Sequence, residues 1–328
     1  MIVLADVISS TIVFAVPLLL VAMGGMFSER SGIINIALEG IMIIGALMGC
    51  LMMRWLDAAV TAGSLGPQLA MLIATLFAGV CGIVFSVLLA FASINLKADQ
   101  TIGGTALNML APALAIVLTW VVQGQGQTTI LIPTWSRITQ ETFGLQVESQ
   151  FIQNLFFKNT YLTTFLTVIL FALAVLLLYR TKFGLRLRAC GEHPQAADSV
   201  GINVYKMRWS GVLLSGMLGG VGGLCYILAG VSLWKFENGV AGFGFLALAV
   251  MIFGQWKPIR IAVSALLFGL FRALSNVYSG FDFLAALNIP GNVYNMLPYI
   301  ISLVVLIFFS KNSAAPKAEG IPYDPGKR

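Results

Sequence analysis

The chain reads as an all-α polytopic membrane protein with about nine transmembrane helices, some of them broken or re-entrant. Three observations predict this. Of the 328 residues, 59% are apolar and 10% charged, where a soluble domain carries about 25% charged residues. The mean hydropathy is +0.92. The apolar residues also gather into runs close to the ~20 residues that cross a bilayer as a helix. A water-soluble enzyme is excluded, and residues 1–310 are taken as one membrane domain.

In chain order the runs are 7–27, 33–53, 67–94, 102–122, 161–179, 210–231, 242–253, 259–273 and 293–309. The first has Asp6 and no basic residue before it, so it is expected to be a retained helix and not a cleaved leader. The third is long enough to tilt. The seventh and eighth are short, the pattern expected of broken or re-entrant helices in a transporter.

Charge sets the expected orientation. The net charge of +6 is assigned to topology, with no nucleic acid partner. With the tail after Phe309 cytoplasmic, nine spans put the N-terminus outside. Fourteen basic residues then lie inside and five outside, as the positive-inside rule requires. The inner segments hold Arg30, Lys97, the six basic residues of 180–209, Lys257, Arg260 and four in the tail. The outer or outer-edge set is Arg54, Arg137, Lys158, Lys235 and Arg272. The outer loop 123–160 contains a short amphipathic piece at 151–157. Residues 311–328, with Pro316, Pro322 and Pro325, are expected to form a disordered cytoplasmic tail.

Glu39 is the acidic side chain that falls inside an apolar run. A carboxylate near the bilayer centre costs about 2.5–3.5 kcal/mol or more, so it is expected to face a protein- or water-lined interior. Asn35, four residues earlier, would share its helical face, and the two would line a polar pathway. The alternative is a packing pair of Glu39 with Arg30 at the inner interface. Asn108 in the fourth run is either a substrate contact or an interhelical hydrogen bond. Two overlapping GxxxG spacings, Gly216/Gly220 and Gly219/Gly223, predict close helix approach, with helix sliding as the second possibility.

The search for reactive chemistry is negative. One histidine, no HExxH, no phosphate-binding GxxxxGK[ST] and no GxSxG elbow are present. Of the four cysteines, Cys50, Cys81 and Cys225 lie in apolar runs and Cys190 in a polar loop, with no CxxC pair. Neither metal nor cofactor is expected, and too few buried charges exist for a proton relay. A transporter of this composition would be energised by another protein.

Residues 191–201 read as a very short helix. Pro194 suits the first helical position, Gln195 to Ala197 are compatible with a helix, and Gly201 supplies a left-handed stop. The rod is roughly 10 Å long and lies between basic strips, so it would fit a cleft in a cytoplasmic partner. A plain solvated loop is the alternative.

The stretch Gly184-Leu185-Arg186-Leu187-Arg188-Ala189-Cys190-Gly191-Glu192-His193-Pro194-Gln195-Ala196-Ala197-Asp198, continuing to Gly201-Ile202-Asn203-Val204, resembles the coupling loop of ABC importer permeases of the branched-chain amino acid, ribose and nucleoside group. Glu29-Arg30-Ser31-Gly32-Ile33-Ile34-Asn35-Ile36-Ala37-Leu38-Glu39-Gly40, Lys97-Ala98-Asp99-Gln100 with Asn108, and residues 242–254 look like the nucleoside or "simple sugar" branch. The resemblance covers about residues 10–310.

It implies a non-catalytic subunit in a bacterial-type plasma membrane. A second permease chain, expected as a heterodimer, would complete the pore. Cytoplasmic ATP-binding subunits would drive it, and an external substrate-binding lipoprotein would deliver nucleosides. Glu192, His193, Pro194, Gln195, Ala196, Ala197, Asp198 and Gly201 would form the short cytoplasmic coupling helix that meets the ATPase, and the basic flanks would grip membrane lipid. Asn35, Glu39 and Asn108 remain the pathway candidates. A simple sugar or branched-chain amino acids are alternative substrates, and the rival classes are a stand-alone secondary carrier and a membrane enzyme.

Overall fold

A computed structural model describes residues 2–127, 129–138, 149–157, 160–230, 233–236, 239–277, 291–309 and 315–326. Its helices are α1 (Ile2–Arg30), α2 (Leu38–Thr61), α3 (Pro67–Ala90, continued by a π-helical turn, Phe91–Asn95), α4 (Gln100–Gln123), α5 (Gln150–Phe156), α6 (Leu162–Arg180), α7 (Lys182–Glu192), α8 (Pro194–Ser199), α9 (Val204–Gly230), α10 (Phe243–Phe253), α11 (Pro258–Val277) and α12 (Gly291–Phe309). Strands β1 (Thr129–Leu131) and β2 (Leu233–Lys235) pair antiparallel, Ile130 opposite Trp234.

Each of the nine apolar runs carries a helix, the second only from Leu38 on. Among the described residues, seven helices are long and apolar enough to span a membrane: α1, α2, α3 with its π turn, α4, α6, α9 and α11. Helix α10 has 11 residues, about 16 Å of rise, half a bilayer. Helix α11, expected to be short, has 20 residues because it continues past Ala273 to Val277. The run at 293–309 becomes α12, of 19 residues.

Local chemistry fixes the boundaries. Asp99 caps α4, its carboxylate accepting from Thr101 N at 2.8 Å and Ile102 N at 2.9 Å. Pro67 opens α3 where its missing N–H costs nothing. Thr181 caps α7 by accepting from Gly184 N at 3.1 Å.

Helix α9 is the central post, packed on α1, α2 and α3 at once. Its glycines divide these contacts. A Cβ on Gly220 would lie 2.4 Å from Ala78 O of α3, one on Gly223 2.1 Å from Met42 O of α2, and one on Gly222 2.4 Å from Val21 of α1. The two GxxxG spacings therefore serve two different neighbours. In lipid, where burial of apolar surface gives no drive between helices, such backbone approach supplies the packing.

One end of the bundle is basic. Arg30, Lys97, Arg180 and helix α7 gather there, and residues 315–326 are laid across it. Ala318 N donates to Gly191 O at 2.8 Å, Gly320 N to Gly32 O at 3.3 Å and Arg208 Nη1 to Ile321 O at 3.0 Å, while Lys97 pairs with Asp324 at 3.6 Å. Ala318 and Tyr323 are buried. Within the expected disordered tail, residues 315–326 are instead docked on the bundle. Proline and charge keep this segment from forming a core of its own, but backbone groups on the bundle end satisfy its amides and two apolar side chains anchor it. The β1–β2 pair, joined from segments about a hundred residues apart, lies at the opposite end, near Trp135, whose Nε1 donates to Asp57 at 2.7 Å.

Candidate functional site

Two regions carry the residues singled out by the sequence. The first is a pair of helix breaks within the bundle. Residues 31–37 between α1 and α2 are not helical, so their backbone groups need partners from elsewhere. Ile34 N donates to Gln100 Oε1 at 2.7 Å. Asn108 Nδ2 donates to Ile36 O and Asn108 Oδ1 accepts from Gly40 N, both at 2.8 Å. Ser28 Oγ donates to Ile33 O at 2.7 Å. Asn108 thus makes an interhelical hydrogen bond, one of its two expected roles, and does so to backbone.

Asn35 is fully buried and donates through Nδ2 to Ser215 Oγ of α9 at 2.8 Å. It lies in the break and Glu39 in the first turn of α2, so the shared helical face expected of them does not exist. The spacing argument assumed a continuous helix that begins only at Leu38. Glu39 does not pair with Arg30 either. Its carboxylate accepts from Gly242 N at 2.8 Å and Gly244 N at 2.7 Å, capping α10 from the neighbouring helix. It therefore sits at the positive ends of two helix dipoles together.

This junction lies deep in the bundle. Phe243, the first residue of α10, packs on Phe14 with ring centroids 6.3 Å apart. Phe14 stands sixteen residues from Arg30 along α1, about 24 Å from the basic end. Helix α10 then descends to that end, where Trp256 Nε1 donates to Glu29. The run at 242–253 is thus a half-helix with its N-terminus at mid-depth, the broken geometry its length predicted.

Around this N-terminus the structure gathers residues that sequence reasoning missed. Tyr226 of α9 lies against Phe243 at 4.3 Å between centroids. The Arg272 guanidinium is 5.8 Å from the Phe14 ring and 5.9 Å from Phe243. Tyr299 of α12 donates to Ala241 O at 2.6 Å. The sequence places Arg272 at the outer edge, next to the end of its apolar run at Ala273; α11 continues to Val277, so Arg272 lies within the helix. The signal available was an ionisable residue within a run.

The second region is the turn between α7 and α9. Helix α8 spans Pro194–Ser199, with Pro194 at its start and Gly201 at φ +82°, as the residue types predict. His193 caps it, Nδ1 accepting from Ala196 N at 3.3 Å. Pro194 and Ala197 are buried while Glu192, His193, Ala196, Asp198 and Gly201 are exposed and Gln195 is half-buried. The buried side packs with Cys190, Val204 and Tyr323. Burial pushes the Cys190 thiol up to about 11, so the polar loop placement expected of it becomes a small core. The basic strip before α8 is itself a helix, α7. Glu192 at its end pairs with Arg30 at 3.3 Å, joining α7 to α1. Among the described residues no group of His, Cys, Asp and Glu is arranged to hold a metal ion.

Residues 7–310 match the family model of the branched-chain amino acid transport system permease component. The chain belongs to this permease family. It is 42% identical over 321 residues to the nucleoside ABC transporter permease protein NupC of Lactococcus lactis subsp. cremoris (strain MG1363), covering 98% of this chain and 97% of NupC. It is 39% identical over 326 residues to the guanosine ABC transporter permease protein NupQ of Bacillus subtilis (strain 168), covering 99% and 98%. A second Lactococcus protein, the nucleoside ABC transporter permease protein NupB, is 23% identical over 314 residues, covering 93% of this permease and 80% of NupB. No solved structure matches. The permease is thus a multi-pass, membrane-embedded transport subunit.

Proposed function

We propose that this permease forms the translocation path for nucleosides in an ATP-driven importer. The carrying observation is the full-length 42% identity to a permease named for nucleosides, joined by the likeness to a guanosine permease. An external binding lipoprotein delivers the nucleoside, and partner ATP-binding subunits supply the energy. The basic end faces the cytoplasm and the N-terminus lies outside, a reading supported by the clustering of Arg30, Lys97 and the basic residues of α6 and α7. A second, longer permease completes the pore. In support, one Lactococcus strain holds two proteins with the nucleoside permease name, and the match covers less of NupB than of this chain.

Helix α8 is the coupling helix. The exposed residues Ala196 and Asp198 of α8, with Glu192 and His193 just before it, meet the ATPase, while its buried residues Pro194 and Ala197 transmit displacement into the bundle. ATP binding must favour one arrangement of the bundle over the other, since equal affinity for both would shift nothing. Displacement of α7 and α8 would reach α1 through Glu192–Arg30 and reach the 31–37 break through the tail contact at Gly32. Asn35 and Asn108 hold that break, and Glu39 joins it to α10.

Reconstitution in proteoliposomes with the ATPase, the second permease and the lipoprotein tests this. Labelled guanosine is expected to accumulate only with ATP and lipoprotein present. Accumulation without the ATPase would indicate a secondary carrier, and uptake of leucine or glucose in place of nucleosides would reassign the substrate. In the same vesicles, Glu192→Ala with Asp198→Ala is expected to abolish substrate-stimulated ATP hydrolysis; stimulation retained would remove α8 from the coupling role.

A further inference from the structure

We propose that the groove between α3, α6, α7 and α9 at the basic end is a binding site for one anionic phospholipid, its acyl chain lying along α9 and its phosphate meeting Lys206. The inference needs only that the permease is embedded in a bilayer and does not depend on what it carries.

Two cavities meet to form the groove. The deeper one, about 400 Å³, is walled by Ile83 of α3, Leu177 of α6, Phe183 of α7 and Leu213, Leu214 and Met217 of α9. Every one of these side chains is half-buried, packed on the bundle on one side and open on the other. Ser210 also lines this part, but its hydroxyl donates to Lys206 O at 2.8 Å, so the wall presents hydrocarbon. The second cavity, about 620 Å³, continues the first toward the start of α9 and shares Phe183, Ser210 and Leu213 with it. Here the lining turns polar, with Asn203, Tyr205, Lys206 and Trp209.

Dimensions and polarity select the occupant. From Lys206 to Met217 α9 advances eleven residues, about 16 Å of rise, against about 15 Å for half of a bilayer's hydrocarbon core. The groove thus runs from one membrane surface to the midplane, the reach of a single acyl chain of the leaflet at the basic end. A helix from a neighbouring chain, about 10–12 Å across with its side chains, is too wide to enter the apolar part and could only cover it. An acyl chain gains little by exchanging other chains for an apolar wall, so preference has to come from the headgroup. At that level Lys206 is exposed, as is Lys182 beside Phe183, and the ion pairs found among the described residues involve neither. A phosphodiester with net negative charge complements both. Asn203 Oδ1 accepts from Lys206 N at 2.9 Å, and the Asn203 Nδ2 carries donors suited to a phosphate oxygen. Trp209, its indole N–H held by Asn95 Oδ1 at 3.1 Å, and Tyr205 stand at headgroup depth, where such rings anchor to the interface. Because Phe183 belongs to both cavities, the bound lipid braces α7, and through it α8, against α9.

The test uses the assembled wild-type transporter in phosphatidylcholine vesicles containing a trace of phosphatidylglycerol with a photoactivatable diazirine midway along one acyl chain. Labelling of α9 at 213–217 is compared with labelling of α11 at Val263 and Leu266, exposed side chains at a similar depth with Arg260 close by. The ratio of α9 to α11 label is expected to be at least fivefold higher with this probe than with the same diazirine on phosphatidylcholine. Equal ratios for the two probes overturn the proposal, and so does label on α11 with none on α9, the result expected if a second permease chain covers the groove. Lys182→Gln with Lys206→Gln is expected to lower the phosphatidylglycerol ratio at least threefold and to leave the phosphatidylcholine ratio within twofold. An unchanged phosphatidylglycerol ratio in that variant overturns the headgroup assignment. These are ratios within one preparation, which a loss of folded protein does not move; if the variant does not assemble, the two wild-type probes decide alone.

Discussion

Asn108 shows how one side chain can stand in for a missing turn of helix. It returns to the backbone two of the bonds that the break withholds, a donor for Ile36 O and an acceptor for Gly40 N. Asn108→Leu is expected to orphan both groups, at about 1–3 kcal/mol each, and to lower the thermal midpoint of the detergent-solubilised permease measured by tryptophan fluorescence. Glu39 serves α10 in the same fashion. Glu39→Gln keeps one carbonyl oxygen for two backbone amides and removes the charge from two helix N-termini. A loss of about 1–2 kcal/mol follows from capping and dipole magnitudes. It is expected as faster hydrogen exchange confined to the first turn of α10; uniform protection across α10 would contradict the capping role.

At its glycines helix α9 meets its neighbours backbone to backbone, and this governs what it tolerates there. Gly220→Val places branched carbon where Ala78 O already stands at 2.4 Å from the added Cβ. Relief requires separating α3 from α9, and overpacking of this kind costs about 1–3 kcal/mol or more. A control substitution inside α4, Gly103→Ala, meets only Leu89 at 3.9 Å, an ordinary contact, and is expected not to lower stability in the same unfolding measurement. Equal effects of the two would mean that the glycine seam of α9 does not set helix spacing. The choice of partner for each glycine pair was not legible in the GxxxG spacing, since the spacing specifies a smooth face but not the helix that lies on it.

The tail ties the basic end together and brings a carboxyl pair into it. Burial pushes Glu319 from 4.5 up to about 7, opposed by its hydrogen bond with Glu29 and by the Arg30 charge. A carboxyl whose folded pKa is raised contributes stability that is complete below about 4.5 and is lost as pH climbs through about 7. Docking of 315–326 is therefore expected to loosen between pH 5 and pH 8. The observable is the exchange of the Ala318 and Gly320 amides, corrected for intrinsic rates. Glu319→Gln is expected to stay docked at pH 8; loosening that persists in this variant would assign the pH dependence to another group. Docking also shields Cys190, buried at one side of the same small core with Tyr323.

The sequence alone determined the solvent and most of the helices, because nine apolar runs can satisfy their backbones in lipid only as helices. It determined the short helix at Pro194 as well, through a proline start and a glycine stop, both local effects. Only the tertiary structure decided what meets what. Hydropathy gave no warning that residues 31–37 leave the helix, since the partners that make this affordable in free energy, Gln100, Asn108 and Ser215, come from distant segments. In the same way Arg272 became internal through one further turn of α11, and residues 315–326 docked through the backbone carbonyls of Gly32 and Gly191. Periodicity and composition are properties of a segment, whereas a broken helix and a docked strap are held by groups far away in the chain.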